Sequence, residues 1–400
     1  MNLDFKNKKV LVRVDFNVPL NSSNAITDDS RMTAALPTLK YILDQDAALI
    51  LMSHRGRPQK KKKEDGSIDV DKFTMRYLVD HLSELLGREV LFADIMNRKK
   101  TAEKASKLEP GQVMLLENTR FDAGEKKGDE EFAHWLASLA DVYVNDAFGT
   151  AHRAHASTAT VAKFFERGQK TLGFLIEKEL KEADHLLQNP EKPFTAIIGG
   201  AKVSDKIELL KQLIGQVDHL LIGGGMAYTF IKSRGGSIGS SLCEKDKLDL
   251  AFQLLEQAEQ KGTLIHLPED SVIADDFQED AKSRLSPSNE IPEGWMGLDI
   301  GPKARKKYRD VILKSKTLFW NGPMGVFEFD AFSEGTKSIA QAVADATANG
   351  AYSSIGGGDS VAAIHKFGMA DRVSFMSTGG GAMLKLLEGA SLPGIDAIRT

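Results

Sequence analysis

A glycine-rich stretch near the carboxyl end of the chain has the composition of an anion-binding loop. In YSSIGGGDSVAAI (352–364) three glycines follow a short apolar run, and Asp359 and Ser360 then open a helical pattern. Backbone N–H groups of such a loop, at the positive end of a helix dipole, can bind phosphate oxygens. The lysine that follows the glycines of a P-loop is missing, so the positive charge must come from another part of the chain.

A second loop, GGAKVSDK (199–206), offers that charge. Its lysines, Lys202 and Lys206, are spaced i, i+4, which predicts that they share one helical face. Two cations at a helix start oppose the helix dipole, which favours a bound anion over a merely solvated helix end. Asp359 could cap its own helix or hold Mg²⁺, which prefers one or two carboxylates together with phosphate oxygens. Glu328, in WNGPMGVFE (320–328), could accept hydrogen bonds from ribose hydroxyls.

Four apolar runs of the second half end in two or three glycines, which begin at Gly199, Gly223, Gly356 and Gly379. Ligands of open parallel sheets bind beyond the carboxyl ends of the strands, and glycine there allows close approach of the backbone. One such loop could simply be a tight turn, whereas four predict a nucleotide or phosphate crevice. None of the triglycine runs continues into the dinucleotide fingerprint G-x-G-x-x-G.

The first half carries basic residues shortly after its own apolar runs. They lie in the segments RVDFNVP, DDSRMTAALP, SHRGRP, LLENTRF and AFGTAHRAH. Scattered singly, arginines are ordinary surface residues. Their repeated position at strand ends instead predicts convergence, and the planar guanidinium group suits carboxylate and phosphate. We therefore expect a pocket for a small, strongly anionic substrate.

These loops need strands and helices to position them, and the apolar pattern predicts both. Amphipathic stretches such as SRMTAALPTLKYILDQ and DEEFAHWLASLA alternate with runs apolar enough to be covered on both faces, which indicates an α/β fold with mainly parallel sheets. The predicted strands are 9–16, 48–53, 113–118, 141–148, 194–200, 218–225, 316–323, 352–358 and 373–381. The segment 177–188 reads as a helix and a candidate hinge, and the breaker cluster NPEKP (189–193) marks a domain boundary.

Bulk composition narrows the class of protein. A chain of 400 residues favours two or three domains, and the net charge of −4 gives no reason to expect a nucleic-acid or membrane partner. The lysine run at 60–63 is typical of a solvated loop. The single cysteine, Cys243, fits a reducing compartment, and neither a signal peptide nor a membrane span is evident. We therefore expect a cytoplasmic protein.

Eight motifs together resemble, in order and spacing, those of the phosphoglycerate kinases. They are RVDFNVP, SHRGRP, LLENTRF, VNDAFGTAHRAH, GGAKVSDK, NGPMGVFE, GGGDS and STGGGA, and the resemblance runs from about Val10 to about Ile395. It implies two similar-sized Rossmann-like domains: residues 1–172 for 3-phosphoglycerate or 1,3-bisphosphoglycerate, and residues 191–387 for ADP or ATP with Mg²⁺. It also implies a hinge helix at 173–190, a tail from about 388 to 400 that returns to the first domain, and a monomer.

The resemblance assigns roles to individual positions. Substrate binding is implied for Asp15, Phe16, Asn17, Arg31, His54, Arg55, Gly56, Arg57, Arg120 and Arg153. Nucleotide binding is implied for Lys202, Lys206, Glu328, Gly357, Gly358, Asp359 and Ser360, with Asp359 as the metal ligand and Arg31, Lys206 and Gly380 as catalytic groups. The chain departs from the family pattern at Arg55, often leucine, and at Lys385, where glutamate is expected; the usual lysine after Gly389 is also missing.

The implied reaction agrees with the residue types. Phosphoryl transfer between an acyl phosphate and ADP needs no protein nucleophile, and in reverse the attacking carboxylate, with a pKa of about 4, is already ionised. Alignment and positive charge are required instead, together with closure of the two domains. Two alternatives remain at this point. A dinucleotide-dependent oxidoreductase would need the missing fingerprint, and a non-catalytic scaffold would not need the filled ligand positions.

Overall fold

The chain folds into two compact units in the computed structural model, which describes residue 1 and residues 3–400. The first unit comprises Met1–Lys181 and Ser391–Thr400, and the second comprises Glu182–Ala390. Among these described residues, no helix combines the length and apolar character that crossing a membrane requires.

The first unit is built on a six-stranded sheet in which every strand is parallel to its neighbours. Its strands are β1 (Lys9–Arg13), β2 (Ala48–Met52), β3 (Val90–Ala93), β4 (Val113–Leu116), β5 (Val142–Asn145) and β6 (Lys170–Leu172). They lie in the order β3-β4-β2-β1-β5-β6. The central strands are apolar and buried along their whole length because helices cover both faces of a parallel sheet.

Helices lie between these strands in the chain, and a last one, α6, follows β6. They are α1 (Ser30–Leu43), α2 (Val70–Phe73), α3 (Val79–Leu86), α4 (Arg98–Ser106), α5 (Glu130–Ala137) and α6 (Phe174–Gln188). Leu39 of α1 and Leu82 of α3 pack with Val12 of β1 in one buried cluster. The boundary between the two units falls within α6.

The second unit repeats this architecture and adds two small sheets. Its strands are β7 (Phe194–Ile198), β8 (His219–Ile222), β9 (Ser237–Ile238), β10 (Leu264–His266), β11 (Asp270–Ala274), β12 (Ser283–Pro287), β13 (Glu290–Ile291), β14 (Met296–Ile300), β15 (Thr317–Asn321), β16 (Tyr352–Gly356) and β17 (Phe375–Met376). The main parallel sheet has the order β10-β8-β7-β15-β16-β17. Strands β12-β11-β14 form an antiparallel sheet, and β13 pairs with β9.

The helices of the second unit flank its main sheet. They are α7 (Ile207–Leu213), α8 (Met226–Ser233), α9 (Leu248–Lys261), α10 (Pro302–Ile312), α11 (Glu334–Ala348), α12 (Gly358–Lys366) and α13 (Gly381–Leu387). Trp320 of β15 is fully buried among residues of α10 and α11, and its indole N–H donates a 2.8 Å hydrogen bond to the carbonyl of Gly322. This core holds the carboxyl ends of β15 and β16 in place.

The last helix, α14 (Pro393–Arg399), belongs to the first unit although it follows the second in the chain. The amide of Gly394 donates to the carbonyl of Ala151 at 2.8 Å, and the side chain of Asn145 donates to the carbonyl of Gly394 at 2.9 Å. Ile395 and Ile398 are buried. The first unit is therefore made from two separate stretches of chain.

The prediction of an α/β fold with parallel sheets is confirmed. Each of the nine predicted apolar runs contains a strand of one of the two main sheets. Both amphipathic stretches fold as helices, α1 and α5, and the segment 177–188 lies in α6.

Candidate functional site

Except for Arg31, which lies in the first turn of α1, the predicted substrate residues are in loops that follow parallel strands of the first unit. Asp15, Phe16 and Asn17 follow β1, and the segment 54–57 follows β2. Arg120 lies in a short 3₁₀ turn after β4, and Arg153 lies beyond β5. The carboxyl ends of parallel strands meet at one edge of the sheet, and this edge is where ligands of such folds bind.

Hydrogen bonds join several of these residues directly. The Arg31 guanidinium donates to the Asp15 carboxylate at 2.8 Å, and the Asn17 side chain accepts the amide proton of Gly56 at 2.8 Å. Arg120 Nη1 donates to the carbonyl of Gly56 at 2.6 Å. Loops from three different strands are thus tied to one another, which fixes the positions of their side chains.

Two of the predicted residues point elsewhere. Phe16 is fully buried in the core of the first unit, so its side chain supports the loop, while its amide donates to the Ser53 hydroxyl at 2.9 Å. The guanidinium of Arg55 donates to the carbonyls of Lys72 and Thr74 at 2.8 and 3.1 Å. The side chain of Arg55 therefore holds the end of α2, and only its backbone is linked to Arg120, through the side chain of Asn118.

The electrostatics of this cluster favour an anion. Burial, followed by repulsion from Arg13 and Arg153, lowers the pKa of Arg120 to about 10. Burial and the charge of Arg57 lower the pKa of Arg153. Burial and nearby arginines lower the pKa of His155 to about 3. These shifts share one cause besides burial, which is positive charge that nearby carboxylates only partly compensate.

Buried polar atoms without partners belong to the same cluster. Arg120 Nε and Nη2 and the Nδ1 atom of His155 are buried, and none has a hydrogen-bond partner among the described residues. A buried donor without a partner is destabilising by about 1–3 kcal/mol, more for a charged group. The guanidinium of Arg120 is therefore arranged to donate to something outside the chain, and the excess positive charge selects an anion.

The glycine-ended strands of the second unit have two different roles. A β-carbon on Gly199 would lie 2.0 Å from the carbonyl oxygen of Pro323, so glycine is required there for the close approach of two loops. By contrast, a β-carbon on Gly358 or Gly380 would meet nothing within 4 Å. The loops after β16 and β17 are therefore open at these positions, while the loops after β7 and β15 pack backbone against backbone.

The prediction that Lys202 and Lys206 share one helical face is wrong. Helix α7 begins at Ile207, and both lysines lie in the turn before it. Ser204 causes this because its amide and hydroxyl donate to the Glu244 carboxylate at 3.0 and 2.5 Å, which holds the segment in a turn. Lys202 is exposed, and Lys206 is partly buried at the start of the helix.

Lys206 is linked to the glycine-rich loop through Asn321, a partner that was not predicted. Its ammonium donates to the side-chain oxygen of Asn321, whose amide nitrogen donates to the carbonyl of Gly356 at 2.8 Å. Burial lowers the pKa of Lys206, while the charges of Asp205, Asp359 and Glu388 oppose that shift. Asn321 ends β15 in the motif WNGP, so its position directly after an apolar run was the available signal.

The remaining predicted nucleotide residues follow β15 and β16 in the chain. Asp359 is an exposed carboxylate in the first turn of α12, and the buried Ser360 hydroxyl accepts the amide proton of Gly322 at 2.6 Å. Glu328 is exposed. Across the described part of the chain, no group of three or more acidic, histidine or cysteine side chains could hold a metal ion. A single carboxylate such as Asp359 fits Mg²⁺ whose other ligands come from phosphate and water.

Comparison with known proteins assigns the family. The phosphoglycerate kinase family model matches residues 1–390. A phosphoglycerate kinase of Porphyromonas gingivalis is 50% identical, with 99% of this chain and 98% of that protein covered, and the cytosolic phosphoglycerate kinase 3 of Arabidopsis thaliana is 52% identical, with 99% and 96% covered.

Solved structures agree with this assignment. The phosphoglycerate kinase of Coxiella burnetii has a TM-score of 0.85 at 41% identity, and that of Pyrococcus horikoshii OT3 has a TM-score of 0.82 at 30% identity; each match covers 100% of this chain and 97% of the other. The chain therefore belongs to the phosphoglycerate kinase family and is a kinase of glycolysis.

Proposed function

We propose that the first unit binds 3-phosphoglycerate or 1,3-bisphosphoglycerate, and that the second unit binds ADP or ATP together with Mg²⁺. The reaction is then reversible phosphoryl transfer from the acyl phosphate to ADP, in glycolysis and in gluconeogenesis. The observation that carries this proposal is the buried guanidinium of Arg120. Two of its nitrogens have no partner among the described residues, and Arg13 and Arg153 act on its pKa more strongly than Glu125 and Asp15 do.

In the first unit, the cationic loops would hold the two acidic ends of the substrate. We assign the contacts to the side chains of Asp15, Asn17, Arg31, His54, Arg57, Arg120 and Arg153, and to the backbone near Phe16, Arg55 and Gly56. Arg31 is 39% exposed in its side chain although it pairs with Asp15, so its guanidinium keeps free N–H groups for a ligand. A planar donor of this kind suits carboxylate and phosphate.

In the second unit, nucleotide phosphates would lie at the open loop after β16. We assign them to Lys202, Lys206, Gly357, Gly358, Asp359 and Ser360, and the ribose to Glu328. Asp359 would hold Mg²⁺, which supplies positive charge to the phosphate oxygens when it is bound. Lys206 is oriented by Asn321, and the partial burial that lowers its pKa also strengthens its attraction for a phosphate oxygen.

Charge stabilisation then replaces acid–base chemistry. The attacking carboxylate is ionised at neutral pH, so no base has to be positioned. Arg31, Lys206 and the amide of Gly380 would stabilise charge on the phosphoryl group during transfer. Because the two sets of residues belong to different units, we propose that binding of both substrates closes the chain over them, about a hinge at 173–190. We further propose that the enzyme acts as a cytoplasmic monomer.

The test is ATP-dependent phosphorylation of 3-phosphoglycerate with Mg²⁺, followed as NADH oxidation through added glyceraldehyde-3-phosphate dehydrogenase. Removing a stabilising charge from a dry site lowers the rate by about 10²–10³-fold, so Lys206→Ala and Arg31→Ala should each lose at least about a hundredfold. Lys211→Ala and Lys40→Ala, exposed on α7 and α1, are the matched controls and should retain activity.

The outcomes separate the reaction from the assignment of residues. If the wild type is active and both variants keep their activity, the reaction stands and the charge assignment is wrong. A folded wild type without activity would favour the non-catalytic scaffold. Small-angle scattering adds a separate test of closure, because the chain should become more compact with both substrates bound than with either alone.

A further inference from the structure

Arg13 is a buried arginine to which the proposed reaction gives no role. It ends β1, it is 0% exposed, and all three of its nitrogen atoms donate hydrogen bonds. Nε donates to the Ser157 hydroxyl at 2.9 Å, Nη1 donates to the carbonyl of Val14, and Nη2 contacts Nδ1 of His54 at 3.2 Å. The last contact joins Arg13 to a residue of the proposed substrate site.

The position of Arg13 is also fixed through its Nε atom, by Ser157 and Glu125. The Ser157 hydroxyl that accepts from Arg13 itself donates to Glu125 Oε1 at 2.6 Å, and the Ser157 amide donates to Glu125 Oε2 at 3.0 Å. Glu125 is also 0% exposed. A buried carboxylate, hydroxyl and guanidinium therefore form one chain of hydrogen bonds that ends at the imidazole of His54.

This contact determines where the imidazole carries its proton. A guanidinium group only donates hydrogen bonds, so Nδ1 of His54 must be the acceptor. The proton of the neutral ring then resides on Nε2. Asp15, the nearest carboxylate, lies 3.9 Å from Nδ1, which is too far for a competing hydrogen bond.

Burial also keeps this ring neutral. It lowers the pKa of His54 well below the ordinary value of 6.5, and the charges of Arg13, Arg120, Arg153 and Arg31 lower it further. The imidazole of His54 therefore carries a single proton at neutral pH. His54 differs in this respect from the arginines around it, which remain cations.

We propose that Arg13 is a positioning residue that fixes His54 in its Nε2–H tautomer, so that His54 offers the substrate one neutral hydrogen-bond donor. The identity of the ligand rests on the proposed function. The tautomer of His54 does not depend on that function. Among the described residues, nothing accepts a hydrogen bond from Nε2, so that donor is available to a carboxylate, phosphate or hydroxyl oxygen of phosphoglycerate.

The direct test is the tautomer of His54 in solution, measured by long-range ¹H–¹⁵N correlation on the full chain with ¹⁵N-labelled histidine. His54→Gln identifies the His54 signals among those of the nine histidines. We expect an unprotonated Nδ1, a protonated Nε2 and no titration between about pH 6 and pH 8. In Arg13→Lys the fixed donor is lost, so both tautomers should appear.

Kinetics supplies a second readout. The side-chain nitrogen of glutamine reaches the position of Nε2, whereas asparagine replaces Nδ1 with an oxygen and offers nothing at Nε2. Both variants should raise the KM for 3-phosphoglycerate, but His54→Asn should raise it at least about tenfold more than His54→Gln, with kcat changed much less. Equal KM values for the two variants would overturn the role of the Nε2 donor.

Several results decide the positioning role of Arg13. A wild-type ring protonated on Nδ1 overturns the proposal, as does a folded Arg13→Lys variant with the wild-type tautomer. If Arg13→Lys does not fold, Ser157→Ala removes the anchor of Arg13 Nε, and an unchanged tautomer in that variant counts against the proposal in the same way. A wild type that shows the Nε2–H tautomer but no kinase activity would contradict the proposed function and leave the proposed tautomer standing.

Discussion

The Ser157 hydroxyl donates a hydrogen bond of 2.6 Å to the Glu125 carboxylate in the interior of the first unit, where neither residue is exposed to solvent. The same hydroxyl accepts a hydrogen bond from Arg13 Nε at 2.9 Å. A neutral side chain therefore connects two opposite charges that do not touch each other. Without this connection the buried guanidinium of Arg13 would lose its link to a carboxylate, which makes the group a sensitive point for stability.

Glu125→Ala should lower the free energy of unfolding by about 3–5 kcal/mol, because it leaves the buried guanidinium of Arg13 without its countercharge. Urea denaturation followed by circular dichroism measures the change. Glu131→Ala is the matched control, since Glu131 is 87% exposed in its surface pair with Arg98 and such pairs contribute about 0–1 kcal/mol. Similar losses for the two variants would mean that the buried charges are not coupled.

The buried carboxyl group of Asp146 should make the free energy of unfolding depend on pH. Burial raises its pKa from 3.8 to about 7, although its Oδ1 accepts the amide protons of Leu175 and Ile176 at 2.9 and 3.3 Å. Between about pH 4 and pH 7 the folded state keeps a proton that the unfolded state has lost. The contribution of Asp146 to stability therefore decreases as pH rises through this window and is constant above it.

Asp146→Asn removes this titration. The free energy of unfolding of the variant, relative to wild type, should rise by a few kcal/mol between pH 4 and pH 8. Denaturant titrations at several pH values provide the measurement, and Asp141→Asn, at an exposed position, serves as the control. A parallel pH profile for wild type and Asp146→Asn would contradict the raised pKa.

Gly173, which precedes α6, should not tolerate a side chain. A β-carbon there would lie 2.3 Å from Cγ of Asp146, which is itself buried and cannot move aside. Gly173→Ala should therefore destabilise the protein by about 1–3 kcal/mol, the usual range for overpacking. A β-carbon on Gly168 would meet nothing within 4 Å, so Gly168→Ala should change stability by less than about 1 kcal/mol.

Asn321 should act on catalysis through Lys206. Replacing Asn321 by alanine removes the acceptor that orients the ammonium group, so we expect kcat to fall about tenfold or more. Stability should also fall, by about 1–3 kcal/mol, because the buried carbonyl of Gly356 loses its hydrogen bond. The same replacement in a Lys206→Ala background should add little, because the two residues act as a unit. Independent effects in this double-mutant cycle would show that Asn321 has a separate role, and Asn349→Ala, exposed at the end of α11, is the control.

The sequence predicted the strands that are buried on both faces, because an apolar run such as ALILM has no other stable environment in an α/β fold. It did not predict β3, β6 or β10, which lie at edges of the main sheets, nor β9 and β11–β14, which form the two small sheets. Edge strands obtain their conformation from one neighbour, so their own residues carry a weak pattern.

The candidate site likewise has parts that the sequence predicts and parts that it does not. Loop positions were predictable because they follow strands, as with His54 after β2. The turn that holds Lys202 and Lys206 was not predictable, because it depends on the contact of Ser204 with Glu244, forty residues away. The support of His54 by Arg13 is likewise non-local, since it passes through Ser157 and Glu125, which are distant from β1 in the chain.

The return of α14 to the first unit has a consequence for synthesis. Residues 182–390 are translated before this helix, and at about 5–20 residues per second that takes on the order of 10–40 s. During this time the side chain of Asn145 and the carbonyl of Ala151 lack their helix partners, and the apolar surface that receives Ile395 and Ile398 is open. The first unit therefore stays incomplete until residues 391–400 have been made, after every residue of the second unit.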